Sequence, residues 1–117
     1  MALVTVTDAT FEQQVLRSEV PILVDFWAEW CPPCRPMARV LEELDGELGR
    51  ELDGKLVIAK INSDENPVAS RAYRIMSLPT LLLFREGRIV ATMVGARPKS
   101  VLRDALVKQL GRAVHPH

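Results

Sequence analysis

The sequence of 117 residues has only two cysteines, Cys31 and Cys34, which excludes a small fold held together by several disulfides. A bridge between them would close a very short ring, to which chain entropy gives about 2 kcal/mol, less than to a long-range bridge. A chain of this length can bury a core without that help. We therefore interpret the pair as a transient, catalytic disulfide of a cytoplasmic protein rather than as a structural element.

The sequence also lacks a net charge, because 15 basic residues balance 15 acidic ones. This balance gives no electrostatic reason to expect a nucleic acid or an anionic membrane as a partner. No apolar run approaches the length that spans a bilayer, and the N-terminus lacks a basic segment followed by an apolar run. We therefore expect no secretory signal, no membrane partner and a cytoplasmic location.

No internal repeat, low-complexity tract or linker divides the chain. The hydrophobic fraction of 48% and the charged fraction of 26% are those of an ordinary globular protein. We predict a single domain over residues 1–117, with a core at about 6–110 and a flexible tail at 111–117. A monomer is the expected state.

Apolar periodicity predicts an alternation of strands and helices. Strands are predicted at 22–27, 56–61, 80–84 and 89–94, the last two joined by a hairpin turn at Glu86 and Gly87. Helices are predicted around 11–16, after the cysteines, from Pro67 and from Pro98. The residues expected to face inward are Met37, Val40, Leu41, Leu44 and Leu48 in the second helix and Val101, Leu102, Ala105, Leu106 and Leu110 in the last.

The order of these elements is a βαβ half with parallel strands, followed by a hairpin and a closing helix. Because the first strands are apolar throughout, helices must cover both faces of the sheet. The fold class is therefore α/β, a three-layer sandwich with a central mixed β-sheet. Gly46, Gly49 and Gly54 are expected to bracket the frayed end of the second helix and a loop.

Cys31 and Cys34 are placed where a buried strand ends and a helix begins. Residues three apart on a helix have Cβ atoms roughly 5–6 Å apart, a spacing that a disulfide can bridge. Free N–H groups and the positive end of the helix dipole favour a thiolate there. We expect Cys31, the more exposed, to attack a partner disulfide and Cys34, the more shielded, to resolve the mixed disulfide.

Prolines surround the pair. Pro32 and Pro33 suit the first positions of a helix and stiffen the ring between the sulfurs. Pro36 fits only if regular helix begins nearer Cys34, because a proline deeper in a helix removes a backbone hydrogen bond.

A zinc site is the metal alternative for the two thiols. Zinc takes four ligands, and the only further candidates, His115 and His117, lie in the predicted tail. We therefore expect no metal.

Asp25 lies inside the apolar run that precedes the cysteines. A buried carboxylate is costly unless it is paired or protonated, so its pKa should be raised. Such a group could exchange protons with Cys34, and we favour this interpretation over a structural ion pair. Lys60, in a similar apolar strand, is the candidate partner, and for Lys60 both interpretations stay open.

Three weaker signals surround these residues. Pro79 begins a strand, where a cis peptide bond could present backbone groups to an extended substrate, although the residues alone favour an ordinary trans turn. Of Trp27 and Trp30, one is expected to lie in the core and the other to be partly exposed beside the cysteines. The stretch from Val94 to Ala96 offers a small apolar surface with close backbone approach.

The sequence resembles the thioredoxin family over about residues 6–110. The matching segments are Val24-Asp-Phe-Trp-Ala-Glu-Trp-Cys31, Ala59-Lys-Ile-Asn62 with Asp64, Asn66 and Pro67, Leu78-Pro-Thr-Leu-Leu-Leu-Phe84, Gly87, and Val94-Gly-Ala96. The resemblance implies a thioredoxin fold and a protein dithiol–disulfide oxidoreductase that reduces substrate protein disulfides.

The resemblance also implies roles for single residues. Cys31 would be the nucleophile, Cys34 the resolving thiol, Asp25 the buried acid with Lys60 beside it, and Pro79 a cis-proline next to the disulfide. The apolar docking surface would comprise Trp30, Pro33, Leu78, Val94, Gly95 and Ala96. No bound cofactor is implied, because electrons would come from NADPH through a flavoprotein thioredoxin reductase.

Four departures from the family pattern keep alternatives open. Pro32 stands where glycine is usual, Arg39 replaces a helix-kinking proline, Ser77 replaces a common glycine, and the segment 45–54 is a few residues longer than usual. Pro32 bears on the redox potential, since it removes an N–H that could stabilise a thiolate. A specialised reductase, isomerase or oxidant for one dedicated partner is therefore the second hypothesis, and a non-catalytic binding module the third.

Overall fold

The computed structural model describes residues 3–52 and 55–114 and contains a five-stranded mixed sheet. Its strands are β1 (Val4–Thr5), β2 (Ile22–Trp27), β3 (Val57–Asn62), β4 (Thr80–Arg85) and β5 (Arg88–Val94). The helices are α1 (Cys34–Glu51), α2 (Pro67–Ala72) and α3 (Lys99–Val114), and a short π-helical turn covers Glu12–Leu16. The sheet order is β1-β3-β2-β4-β5.

Strand directions follow the predicted topology. β1 and β2 both pair with β3 in parallel, whereas β4 runs antiparallel to β2 and β5 antiparallel to β4. This is the predicted parallel βαβ half joined to a hairpin. β2 is central, so that its carboxyl end, just before the cysteines, is fixed by a neighbour on each side.

Helices cover both faces of the sheet because the central strands are apolar on both faces. Leu23 of β2 belongs to a core cluster with Leu41 of α1 and Leu102 of α3. Val24 and Phe26 point to the other side, into a cluster supplied by the π-helical turn and α2. The predicted three-layer α/β sandwich with a mixed sheet is therefore confirmed.

α1 continues beyond its predicted end. The expectation that Gly46 and Gly49 mark a frayed end and a loop is wrong, since both lie within Cys34–Glu51, and Gly54 lies outside the described residues. Leu44 and Leu48 keep the inward spacing and are fully buried, which outweighs the poor helix propensity of glycine. Residues 45–51 therefore continue α1.

α3 packs along the second half of α1. Lys99 Nζ bonds Glu43 at 3.0 Å and Glu47 at 2.7 Å, and Arg103 bonds Glu51 at 2.8 Å. Such exposed pairs contribute little stability singly, and it is the buried leucines of the two helices that determine which faces meet.

Other differences from the prediction are local. The two-residue strand β1 was not predicted, because two residues carry no periodicity; its register against Ala59 and Lys60 defines it. Val101 faces outward with 47% of its surface exposed, since Leu102, Leu106 and Leu110 alone form the buried stripe. α3 extends to Val114, past the predicted core limit at 110, and residues 115–117 lie outside the described part.

Among the described residues, none of the helices combines the length and the apolar character that crossing a bilayer requires.

Candidate active site

The site lies at the carboxyl end of β2, where the chain turns into α1. Cys31 and Cys34 form a disulfide with a Cα–Cα distance of 5.4 Å. The Cys31 N–H donates to the Ala28 carbonyl at 3.2 Å, and the Cys34 N–H donates to the Cys31 carbonyl at 3.2 Å. These bonds hold the loop against the start of α1, so the two sulfurs meet without help from distant parts of the chain.

The prolines decide where α1 begins. Regular helix starts at Cys34 with Pro33 as the N-cap, so Pro36 falls in the first turn, where no hydrogen bond is lost. This confirms the placement that Pro36 requires. It also limits the predicted free N–H groups, because Pro33 and Pro36 have none and that of Cys34 already donates to Cys31. Of the first-turn N–H groups, that of Arg35 is left to face an anion.

Both cysteines are shielded from solvent in the disulfide form. Cys31 is 2% exposed and Cys34 is 3% exposed, so the expectation that Cys31 is the more exposed is wrong. The cause is local packing, since Ala28 forms a cluster with both cysteines, and Trp27 and Leu78 pack against it. Exposure in this state therefore does not separate the nucleophile from the resolving thiol.

Asp25 is buried in the middle of β2, with 2% of its surface exposed. It stands in register with Lys60 of β3 and Leu81 of β4. Burial raises the pKa of Asp25 from 3.8 to about 7, against a smaller lowering effect of the Lys60 charge. The predicted direction is confirmed, and desolvation is its main cause. Asp25 Oδ1 has no hydrogen-bond partner among the described residues.

A cavity of about 120 Å³ connects Asp25 with Cys34. Asp25, Cys34 and Lys60 line it together, and the exposed Glu29 and Arg35 also border it. A cavity of this volume has room for water, and the carboxyl of Asp25 and the amine of Lys60 belong to residues on its wall. Asp25 and Cys34 therefore share a space through which a proton can pass.

Leu78, Pro79 and Gly95 form the neighbouring backbone. The Leu78–Pro79 peptide bond is cis, not the trans turn that the residues alone favour. The Gly95 N–H donates to the Pro79 carbonyl at 2.8 Å, and Leu78 packs against the cluster of both cysteines. Val94 and Ala96 are exposed beside them. The structure thus brings together residues that lie on separate segments of the sequence.

Trp30 is exposed over 66% of its surface and is held by a residue that the sequence reasoning gave no role. Its indole Nε1–H donates to Asp64 Oδ2 at 2.7 Å. The predicted topology could have indicated this contact. β2 and β3 are parallel neighbours, so the residues just after them lie at the same edge of the sheet. Asp64 therefore fixes the indole beside the cysteines.

Within residues 3–52 and 55–114, no group of three or more His, Cys, Asp or Glu side chains is arranged to hold a metal ion. His115 and His117 lie outside the described residues.

Comparison with known proteins gives one family. The family model described as Thioredoxin matches residues 2–108. "Thioredoxin 1" of Nostoc sp. is 49% identical over 105 residues, which cover 90% of this chain and 94% of that protein. "Thioredoxin" of Streptomyces clavuligerus is 50% identical over 97 residues, covering 83% of this chain and 86% of that protein. "Thioredoxin" of Pseudomonas aeruginosa is 49% identical over 100 residues, covering 86% and 89%.

Proposed function

Because this chain belongs to the thioredoxin family and is a thiol–disulfide oxidoreductase, we propose that it reduces the disulfides of substrate proteins in the cytoplasm, with Cys31 as nucleophile and Cys34 as resolving thiol. The observation that carries these roles is the Cys31–Cys34 disulfide at the start of α1, with the Asp25 carboxyl on the same cavity as Cys34. A cytoplasmic location suits a pair that must be reduced again after each turnover.

The reaction is two successive thiol–disulfide exchanges. The Cys31 thiolate attacks one sulfur of the substrate disulfide, forms a mixed disulfide and releases the other substrate sulfur as a thiolate. Cys34 then loses its proton, attacks Cys31 Sγ and releases the second substrate thiolate. The substrate gains two electrons, and the Cys31–Cys34 pair becomes the disulfide that the structure contains.

Asp25 accepts the Cys34 proton through water in the shared cavity. A pKa of about 7 lets this carboxyl both take up and release a proton near neutral pH. Lys60 lowers that pKa and so keeps a fraction of Asp25 ionised and able to act as a base.

The substrate docks on the apolar residues around the disulfide. These residues are Trp30, Pro33, Leu78, Val94, Gly95 and Ala96. The exposed indole of Trp30, fixed by Asp64, offers a large apolar contact at little entropic cost. An extended substrate segment lies along the backbone of Leu78 and Pro79, which packs beside the cysteines.

Electrons come from NADPH through a thioredoxin reductase, and the protein acts as a monomer without a bound cofactor. The test measures NADPH oxidation by absorbance, with insulin as the disulfide substrate. We expect oxidation only when this protein, thioredoxin reductase and insulin are all present. A matched reaction with dithiothreitol in place of the reductase tests the disulfide chemistry alone. If the protein accelerates insulin reduction by dithiothreitol but supports none with the reductase, only the proposed electron donor is contradicted.

The second candidate function, a specialised oxidant or isomerase, depends on how Pro32 sets the redox potential. Pro32 and Pro33 offer no N–H to the Cys31 thiolate, and the Cys34 N–H is already used. Stabilising the thiolate stabilises the reduced form and makes a pair more oxidising. The scarcity of donors therefore favours a reducing pair, near the thioredoxin value of about −270 mV.

Pro32→Gly tests this argument because it restores one N–H beside Cys31. We expect the potential to become less negative by up to about 30 mV, the equivalent of one hydrogen bond to a charged sulfur. The measurement is equilibration of each protein with dithiothreitol buffers of known potential. A parent value between roughly −180 and −120 mV would favour the specialised function instead.

A further inference from the structure

Arg74, just after α2, has a backbone conformation that is unusual for a residue with a side chain. The Ile75 N–H donates to the Ser70 carbonyl at 2.9 Å, and Arg74 between them has φ +52°. Helices commonly end with a left-handed residue at this position, and it is usually glycine, since side chains rarely adopt that conformation. Among the described residues Arg74 forms no ion pair within 4.0 Å that would offset the unfavourable backbone. Its side chain is free to meet a partner.

Arg74 borders an open groove of about 470 Å³ beside α2. Ile75 and Met76 supply apolar surface, and Arg71 is a second arginine on the wall of the same groove. No carboxylate of the described residues lines it, and Arg71 also forms no ion pair there within 4.0 Å. We call these four residues (Arg71, Arg74, Ile75 and Met76) the arginine groove. The arginine groove therefore combines apolar side chains with two arginines and has no carboxylate of the described residues on its wall.

The arginine groove continues toward the disulfide. Met76 is 90% exposed and borders both this groove and a second one, of about 270 Å³, which reaches Val94. Leu78, two residues after Met76, packs against the cysteine cluster. A chain held at the disulfide can therefore extend over Met76 to the two arginines.

We propose that the arginine groove is a docking subsite for the substrate protein, and that it binds a segment in which an aliphatic side chain is followed by carboxylates. Charge complementarity selects this occupant, because two arginines and no carboxylate of the described residues line the groove. Ile75 and Met76 receive the aliphatic side chain. This inference rests on the proposed function, since it names the class of substrate that Cys31 reduces best.

The experiment compares two synthetic peptides with the same cysteine–cysteine disulfide loop. In one the loop is followed by a leucine and two glutamates, in the other by a leucine and two lysines. At low ionic strength we expect kcat/KM for the acidic peptide to be about tenfold higher, the equivalent of about 1.4 kcal/mol. The ratio should fall toward one in about 1 M salt, where the screening length is short.

Arg71→Glu should bring the ratio close to one, and so should Arg74→Glu, because each variant leaves one positive and one negative charge on the groove. Arg88→Glu is the matched control, because it makes the same charge change on an exposed residue at the opposite end of β5 from Val94. It should leave the ratio unchanged. Met76→Gln should lower kcat/KM for both peptides by a similar factor, since both carry the leucine.

The ratio of kcat/KM for the two peptides distinguishes a failure of the docking subsite from a failure of the proposed function. Equal rates for the two peptides, or the same change of ratio with Arg88→Glu, would overturn the docking subsite while leaving the proposed function intact. If the protein accelerates the reduction of neither peptide nor of insulin by dithiothreitol, the proposed function is overturned and this inference with it.

Discussion

Cys31→Ser reduces the rate of disulfide reduction to background, a loss of more than about 1,000-fold, because a serine hydroxyl cannot replace the thiolate nucleophile at neutral pH. Cys34→Ser loses turnover to a similar extent by another route. Its Cys31 still attacks, but the mixed disulfide has no internal thiol to resolve it. We therefore expect a stable one-to-one covalent adduct with the substrate, which mass spectrometry of the unreduced protein detects.

The adduct is the decisive readout, because both cysteines are almost fully buried in the disulfide form and exposure does not assign their roles. An adduct on Cys34 in Cys31→Ser, with none on Cys31 in Cys34→Ser, would reverse the assignment. The control for folding is the dithiothreitol-reduced parent, which also lacks the disulfide. Each variant should unfold within about 0.5 kcal/mol of it, since a serine replaces a thiol of similar shape.

The strand and the helix that hold the site could be predicted from the sequence, because the local residue patterns that indicate them are strong. β2 matches its predicted bounds, 22–27. A short apolar run between Pro21 and the cysteines is typical of a buried strand. Pro36 places the start of α1 near Cys34, as observed. Burial of Asp25 in that run was sufficient to predict the direction of its pKa shift. Each of these conclusions depends on a few adjacent residues.

Contacts between distant segments could not be predicted in the same way. The hydrogen bond from Trp30 to Asp64 joins residues 34 apart in sequence. The burial of Cys31 depends on Leu78, which another segment brings beside it. The arginine groove depends on how the chain leaves α2, and Arg74 stands where sequence rules favour glycine. Such features require the packed arrangement of strands and helices, because spacing along the chain does not encode their distances.

Asp25→Asn is expected to stabilise the disulfide form of the protein, and the gain should grow with pH. An aspartate in the unfolded chain ionises near 3.8, whereas in the fold the pKa of Asp25 is about 7. Between these values the folded state holds a proton that the unfolded state has lost, so stability falls as pH rises through this window and stays constant above it. The gap between the two pKa values corresponds to about 4 kcal/mol, and asparagine, which does not ionise, avoids this loss.

The measurement is guanidinium unfolding of the oxidised parent and variant between pH 4 and pH 9. The two should have similar stability near pH 4 and differ by up to about 4 kcal/mol at pH 8. Asp104→Asn, at an exposed position of α3, is the matched control and should change stability by less than about 0.5 kcal/mol at every pH. A constant difference between parent and Asp25→Asn across the range would contradict the raised pKa.

The same substitution should slow catalysis while it stabilises the fold. Without a base beside Cys34, the resolving step near pH 7 should lose about 10- to 100-fold in rate, and the defect should fade above the ordinary thiol pKa of about 8.5. Stopped-flow reduction of a peptide disulfide between pH 6 and pH 9 measures it. If the rate is unchanged at every pH, Asp25 is a structural residue and the proton transfer assigned to it is wrong. If the rate falls while stability rises, the buried carboxyl is retained at a cost to stability because the resolving step requires it.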